Sequence, residues 1–154
     1  MLVNGIECPG AVHDSENIKG FFGNYRWLSN FYEPAPVMFE GLLYPASECA
    51  YQAAKTTDVL ERQRFTTMTS SKSKREGRLL KVRPDWDKVK FDIMYQICLD
   101  KFTRNEKLGD LLVETDDKFL EECNYWNDRI WGVCRGVGRN MLGRTLMRIR
   151  EEIR

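Results

Sequence analysis

Residues 37–55 read VMFEGLLYPASECAYQAAK, and the change of character at Pro45 decides the fold class. Before it, the apolar triplets Val37–Phe39 and Leu42–Tyr44 flank Glu40-Gly41, which predicts a β-hairpin. After it, residues 46–55 hold strong helix formers and neither Gly nor Pro, which predicts a helix. Upstream, from Ile18, the chain is aromatic and broken by Pro34, Pro36, Gly41 and Pro45, so short strands and turns are expected. Residues 1–17 carry turn formers (Asn4, Gly5, Pro9, Gly10) without periodicity and read as an irregular arm.

Downstream the pattern is helical. Helices are expected over 58–68 and over 71–82, the latter capped by Ser70 or Ser71 and weakened at Gly77. Asp85 is placed to cap a longer helix over 86–102, where Trp86, Val89, Ile93, Ile97 and Lys101 recur at spacings of three and four. Residues 105–114 put Leu108, Leu111 and Leu112 on one face, and residues 116–138 read as a loop. Asn140 is placed to cap a last helix lined by Leu142, Leu146, Ile149 and Ile153. The expectation is a predominantly α-helical α+β protein, its few short strands coming from the N-terminal third. The arm of 1–17 would precede a single domain over 18–154, since 154 residues suit one domain.

Composition excludes several function classes. No run approaches the roughly 18 apolar residues of a membrane span, and no basic segment leads into an apolar one at the N-terminus, so a cytoplasmic protein is expected. The 24 Lys and Arg against 23 Asp and Glu leave a charge of +1, so any contact with nucleic acid must come from a local patch. The five cysteines are odd in number and include no CxxC pair, which fits a reducing compartment rather than a disulfide framework. The one histidine, His13, rules out an HExxH zinc site, and it would have to serve any Ser-His or Cys-His relay. Catalysis then falls to carboxylates, lysines, amides and aromatic rings.

Four clusters could carry chemistry. Glu48, Gln52 and Lys55 lie four and seven residues apart, so a helix over 46–55 aligns them, with Tyr51 beside them and Ala50, Ala53 and Ala54 letting the far side pack closely. This is either a polar cleft or a solvated face with a modest Glu–Lys contact. The stretch Asn124-Tyr125-Trp126-Asn127-Asp128-Arg129-Ile130-Trp131-Gly132 offers flat rings for stacking a base and a carboxylate for proton transfer, or else a loop plug that fills core. Cys134-Arg135-Gly136-Val137-Gly138-Arg139-Asn140 opens onto a helix, as a phosphate-holding turn or merely a tight one. Lys74, Arg78 and Lys81 share a face that either meets a polyanion or is solvated.

Taken in order, these segments resemble the NADAR, or YbiA-like, family. The matching pieces are Phe22-Gly23, Leu28-Ser29-Asn30-Phe31-Tyr32, Gly41 with Tyr44-Pro45, and Glu48 with Ala50-Tyr51-Gln52-Ala53-Ala54-Lys55. They continue through Trp86, Met94, Lys101-Phe102, Leu111-Leu112, Thr115, Leu120, Glu122, Asn124, Trp126, Asp128, Trp131 and Gly132. Gly138, Asn140, Leu142-Gly143, Leu146-Met147 and Arg150 close the match. Cys49, Ala46 and Cys123 stand where many members carry His, Ser and Gly.

The resemblance implies a helix-rich N-glycosidase that cleaves a bond between a ribosyl carbon and nitrogen, with no metal or organic cofactor. The substrate classes it implies are ADP-ribose on guanine bases, in nucleic acid or nucleotide, and phosphorylated riboflavin-pathway intermediates. Lys55, Glu48 and Asp128 would be catalytic. Phe22, Asn30, Tyr51, Gln52, Trp86, Trp126, Trp131, Gly132, Gly138 and Asn140 would bind substrate, and the enzyme would act as a monomer away from membranes. In one route neutral Lys55 attacks the anomeric carbon and an imine forms; in another Glu48 activates water. A non-catalytic ADP-ribose or NAD binder is the competing class, and the Glu48/Lys55 pair argues against it.

Overall fold

A computed structural model describes residues 1–154. In chain order the strands are β1 (Leu2–Val3), β2 (Ile6–Glu7), β3 (Val12–His13), β4 (Asn17–Lys19), β5 (Val37–Phe39), β6 (Leu42–Tyr44), β7 (Phe119–Glu121), β8 (Cys123–Asn124) and β9 (Val133–Cys134). The helices are α1 (Ser47–Ala53), α2 (Val59–Arg64), α3 (Ser70–Gly77), α4 (Trp86–Arg104), α5 (Glu106–Glu114) and α6 (Met141–Ile153), with 3-10 turns at Gly23–Leu28 and Phe65–Thr67. The α+β class holds. The chain divides into two compact units, Met1–Ser29 with Asp110–Arg154, and Asn30–Gly109.

In the first unit, β1 and β2 form an antiparallel hairpin across Asn4 and Gly5, both in the left-handed region. β3 pairs antiparallel with β4, and β4 pairs parallel with β7, bringing Ile18 level with Leu120 and Lys19 level with Glu121. Residues 1–17 are therefore not an irregular arm. Their turn formers sit at strand junctions: Asp14 Oδ1 accepts from the Glu16 and Asn17 N–H groups and turns the chain from β3 into β4. Nor is 116–138 all loop, since β8 pairs parallel with β9 through Cys123 opposite Val133. Strands of two or three residues are too short to show alternation, and β7 finds its partner far away in sequence.

α6 packs on β7, burying Leu142, Leu146 and Ile149. Asn140 sits at its start with φ 52° and makes no side-chain cap. Its Oδ1 accepts from Glu122 N at 3.0 Å and its Nδ2 donates to the Leu120 carbonyl at 2.9 Å, so it ties the helix start to the sheet. The helix's leading N–H groups are satisfied by backbone instead: Met141 N donates to Ile130 O and Leu142 N to Trp131 O.

In the second unit the expected hairpin forms, with Val37 opposite Tyr44, Phe39 opposite Leu42, and positive φ at Glu40 and Gly41. β5 lies against α4, whose Ile93, Met94, Ile97, Cys98 and Phe102 are buried. α1 is flanked by α3 and α4, and every residue from Ser47 to Ala53 is buried. Asp58 caps α2, accepting from Leu60 N and Glu61 N.

Three expected boundaries move. α1 ends at Ala53, so Lys55 stands in the turn after it: Lys55 N donates to Gln52 O, and the Lys55 carbonyl accepts from Arg83 N at 2.7 Å instead of continuing the helix. α3 is capped by Thr69, which accepts from Lys72 N, rather than by Ser70 or Ser71, and it stops at Gly77, a poor helix former, rather than at 82. Asp85 occupies the start of α4 but does not cap it, because Arg83 takes its carboxylate at 2.6 and 3.0 Å. No helix is long and apolar enough to cross a membrane.

Candidate active site

α1 is not a solvated face. Glu48 is 7% exposed and Gln52 5%, and a buried carboxylate needs a partner to be tolerated. Gln52 Nε2 donates to Glu48 Oε1 at 2.7 Å, the expected reach of one helical turn. The Glu48 N–H donates to the Asn30 carbonyl at 3.0 Å, which secures the first turn of α1. Asn30's own amide lies among sulfurs, with Met94 Sδ at 3.5 Å and Cys98 Sγ at 4.0 Å. Opposite Gln52 stands Gly77 of α3. A side chain there would collide with the Gln52 amide, so this glycine leaves room for the residue that holds Glu48.

Lys55 is half-buried, and its Nζ lies 5.8 Å from the centre of the Tyr51 ring. Tyr51 in turn packs on Trp86, ring centres 5.1 Å apart. Burial holds the Lys55 amine below the usual lysine range; Glu48 pulls it up, while Arg78, Lys74 and Lys90 push it further down. An amine that sheds its proton more readily, close to an oriented carboxylate, can act as a nucleophile. The turn after α1 thus does what the helical spacing was expected to do: Lys55 stays within electrostatic reach of Glu48 although it has left the helix.

Cys49 Sγ donates to Met68 O at 3.4 Å, and burial pushes its thiol up. Sequence reasoning missed Lys90, and it grouped Lys74 and Arg78 with Lys81 as a surface run. Lys90 comes from α4 and Lys74 and Arg78 from α3 and its end, so only packing brings them to bear on Lys55, and no linear spacing signals it.

The remaining predicted residues belong to the first unit. Asn124 is fully buried. Its Oδ1 accepts from Asp128 N at 3.0 Å, and its Nδ2 donates to Asp128 O at 2.9 Å, Glu122 O at 3.2 Å and Val133 O at 3.3 Å. Asp128 Oδ1 accepts from Ile130 N at 3.1 Å and Trp131 N at 3.0 Å. The loop is wound around these two side chains. Trp126 is 47% exposed, with Tyr125 edge-on at 5.1 Å, so it does not fill core; Trp131 is half-buried.

Gly132 lies against the Glu122 carbonyl and the Asn124 amide, and Gly138 against the Gly132 carbonyl, approaches that leave no space for a Cβ. These approaches account for both glycines as tight-turn residues, and the backbone N–H groups of Met141 and Leu142 at the helix start are already spent. Phe22 is half-buried, its ring 5.6 Å from that of His13. No three His, Cys, Asp or Glu side chains converge as a metal-holding group.

Comparison with known proteins identifies the family. Residues 16–154 match the NADAR domain. The chain is 32% identical over 137 residues to the N-glycosidase Npun_R5314 of Nostoc punctiforme, covering 84% of this chain and 86% of that one. It is 33% identical over 134 residues to the N-glycosidase YbiA of Escherichia coli, covering 84% and 82%. It is 36% identical over 134 residues to the riboflavin biosynthesis protein VVA0006 of Vibrio vulnificus, and there it spans only 36% of the longer protein. The NMR structure of E. coli YbiA superposes with a TM-score of 0.78 at 30% identity, covering 94% of this chain and 89% of that one. The chain belongs to the NADAR family.

Proposed function

We propose that this chain, an N-glycosidase by family, removes ADP-ribose from ADP-ribosylated guanine bases through an imine on Lys55. The observation that carries the reading is the Lys55 amine, half-buried and depressed in pKa, within reach of a Glu48 carboxylate that Gln52 orients. Neutral Nζ attacks C1 of the ribose, the C1–N bond to the base breaks, and the departing nitrogen takes a proton. The ring C1–O bond then opens, the ring oxygen gains a proton, and an imine joins C1 to Nζ. Water adds to the imine and expels the sugar, returning the free amine. Glu48 is the carboxylate placed to carry protons between these steps.

The amine, the carboxylate and water supply every group transferred, so this route calls on no metal or organic cofactor. Lys74, Arg78 and Lys90 supply positive charge for the substrate's phosphates while disfavouring a protonated Lys55.

A second reading, cleavage of a phosphorylated riboflavin-pathway intermediate, draws on the name of the Vibrio relative. The test is incubation with guanine-ADP-ribosylated DNA and, separately, with phosphorylated riboflavin intermediates, following products by mass spectrometry. Free ADP-ribose with restored guanine is the expected result. Turnover of the riboflavin intermediates alone would move the assignment to the second reading.

A further inference from the structure

The first unit holds a cavity of about 590 Å³, a size typical of small-molecule sites, whose lining includes none of Glu48, Gln52 or Lys55. Its floor is the outer face of the β4–β7 pair. Along β7, Leu120 points into the core, while Phe119 and Glu121 point the other way, as strand alternation requires. Lys19 stands level with Glu121 in the parallel register, and its amine lies 6.0 Å from the centre of the Phe119 ring. Arg139, two residues before α6, and Arg144, in its first turn, also line it. Gly138 and Asn140 also border it, but the Asn140 amide is committed to the Leu120 carbonyl and Glu122 N–H.

Charge and shape together narrow what can enter. Lys19, Arg139 and Arg144 outnumber the single carboxylate of Glu121, leaving an excess of two positive charges. Neither Lys19 nor Arg144 is engaged in an ion pair, and no ion pair joins Lys19 to its register neighbour Glu121. Guanidinium groups pair with phosphate oxygens bidentately, whereas the helix's own N–H groups are already used by the Ile130 and Trp131 carbonyls. Phe119 is 42% exposed, a bare aromatic wall beside the cations. Partial burial raises the Glu121 carboxyl, opposed by Lys19, so an N–H donor from a ligand would be welcome there.

The geometry points to a nucleoside monophosphate as the ligand of this cavity: phosphate on Lys19, Arg139 and Arg144, base stacked on Phe119, exocyclic amino group of the base on Glu121. This site is independent of the Lys55 reaction and stands whether or not that reaction is the one proposed.

The test is calorimetric titration of the full chain with adenosine 5′-monophosphate, and separately with adenosine and with inorganic phosphate. Saturable binding of the monophosphate is expected, with adenosine and phosphate each weaker by about tenfold or more. Arg144→Ala should weaken monophosphate binding about tenfold, and Lys19→Gln should do the same, each with an unchanged melting temperature because both side chains lie outside the core. Lys55→Ala should leave the affinity as it was. Absence of saturable binding at millimolar ligand overturns the proposal. So does inorganic phosphate binding as tightly as the nucleotide, an affinity that survives Arg144→Ala, or one that falls with Lys55→Ala.

Discussion

Helix α1 buries an amide and a carboxylate, the 124–132 loop buries an amide beside a half-buried carboxylate, and they spend them differently. In α1, Gln52 donates to Glu48 and keeps its own oxygen, which finds no partner, while the Lys55 amine stands half-buried after the helix. Polar side chains there address one another. In the loop, Asn124 and Asp128 address the backbone: every hydrogen bond formed by the Asn124 amide, and those of Asp128 Oδ1, end on an N–H or a C=O. Side chains bonded to the backbone hold a shape, and removing one leaves buried backbone groups without partners. Side chains bonded to one another keep their proton chemistry available, at a cost in burial that a purely structural helix would have no reason to bear.

That contrast can be broken by substitution. Glu48→Gln still accepts a hydrogen bond from Gln52 but cannot carry a proton, so turnover should fall about 10²–10⁴-fold while the melting temperature stays near that of the parent. A variant that unfolds with its activity per folded molecule intact would make Glu48 a structural residue. Asn124→Ala should do the reverse, costing about 2–3 kcal/mol in chemical denaturation, since the Asp128 N–H and several carbonyls lose their partner. A change of less than about 1 kcal/mol would show that water or a rearranged loop replaces the amide.

The smallest expected effect is a displacement in pH. Neutral Lys55 accumulates as pH rises through its depressed pKa, so the rate should climb along a limb whose midpoint lies below the ordinary lysine value of about 10.4. Arg78→Gln removes one of the cations that disfavour the charged amine. The limb should then move to higher pH, and the rate at neutral pH should drop. A limb that stays in place would take Arg78 out of the site's electrostatics.

Much of the fold was legible along the chain, for local reasons. The 37–44 hairpin declares itself through Glu40-Gly41 between apolar triplets, and α4 through a stripe sustained over its whole length. The caps were less legible because neighbouring residues compete: Thr69, Ser70 and Ser71 are all competent, and Asp85 was claimed by Arg83. The strands β1–β4 and β7–β9 are too short for a period-two signal, and the pairing of β4 with β7 joins distant segments. At the site, the Glu48–Gln52 spacing was readable, but its burial was not: α1 is enclosed on all sides, so it has no amphipathic stripe to betray its core position. The cations around Lys55 arrive from α3 and α4 through packing alone.

The claim at the centre of this account is that Lys55 forms a covalent bond to the sugar. Turnover of guanine-ADP-ribosylated DNA in the presence of borohydride tests it directly. The account predicts loss of activity and a stable adduct whose mass equals the protein plus the reduced, open-chain sugar portion, mapped by peptide analysis to Lys55 and absent from Lys55→Arg, which is itself inactive. An unmodified enzyme under those conditions, together with an active Lys55→Arg variant, would contradict it and leave water activated by Glu48 as the attacking group.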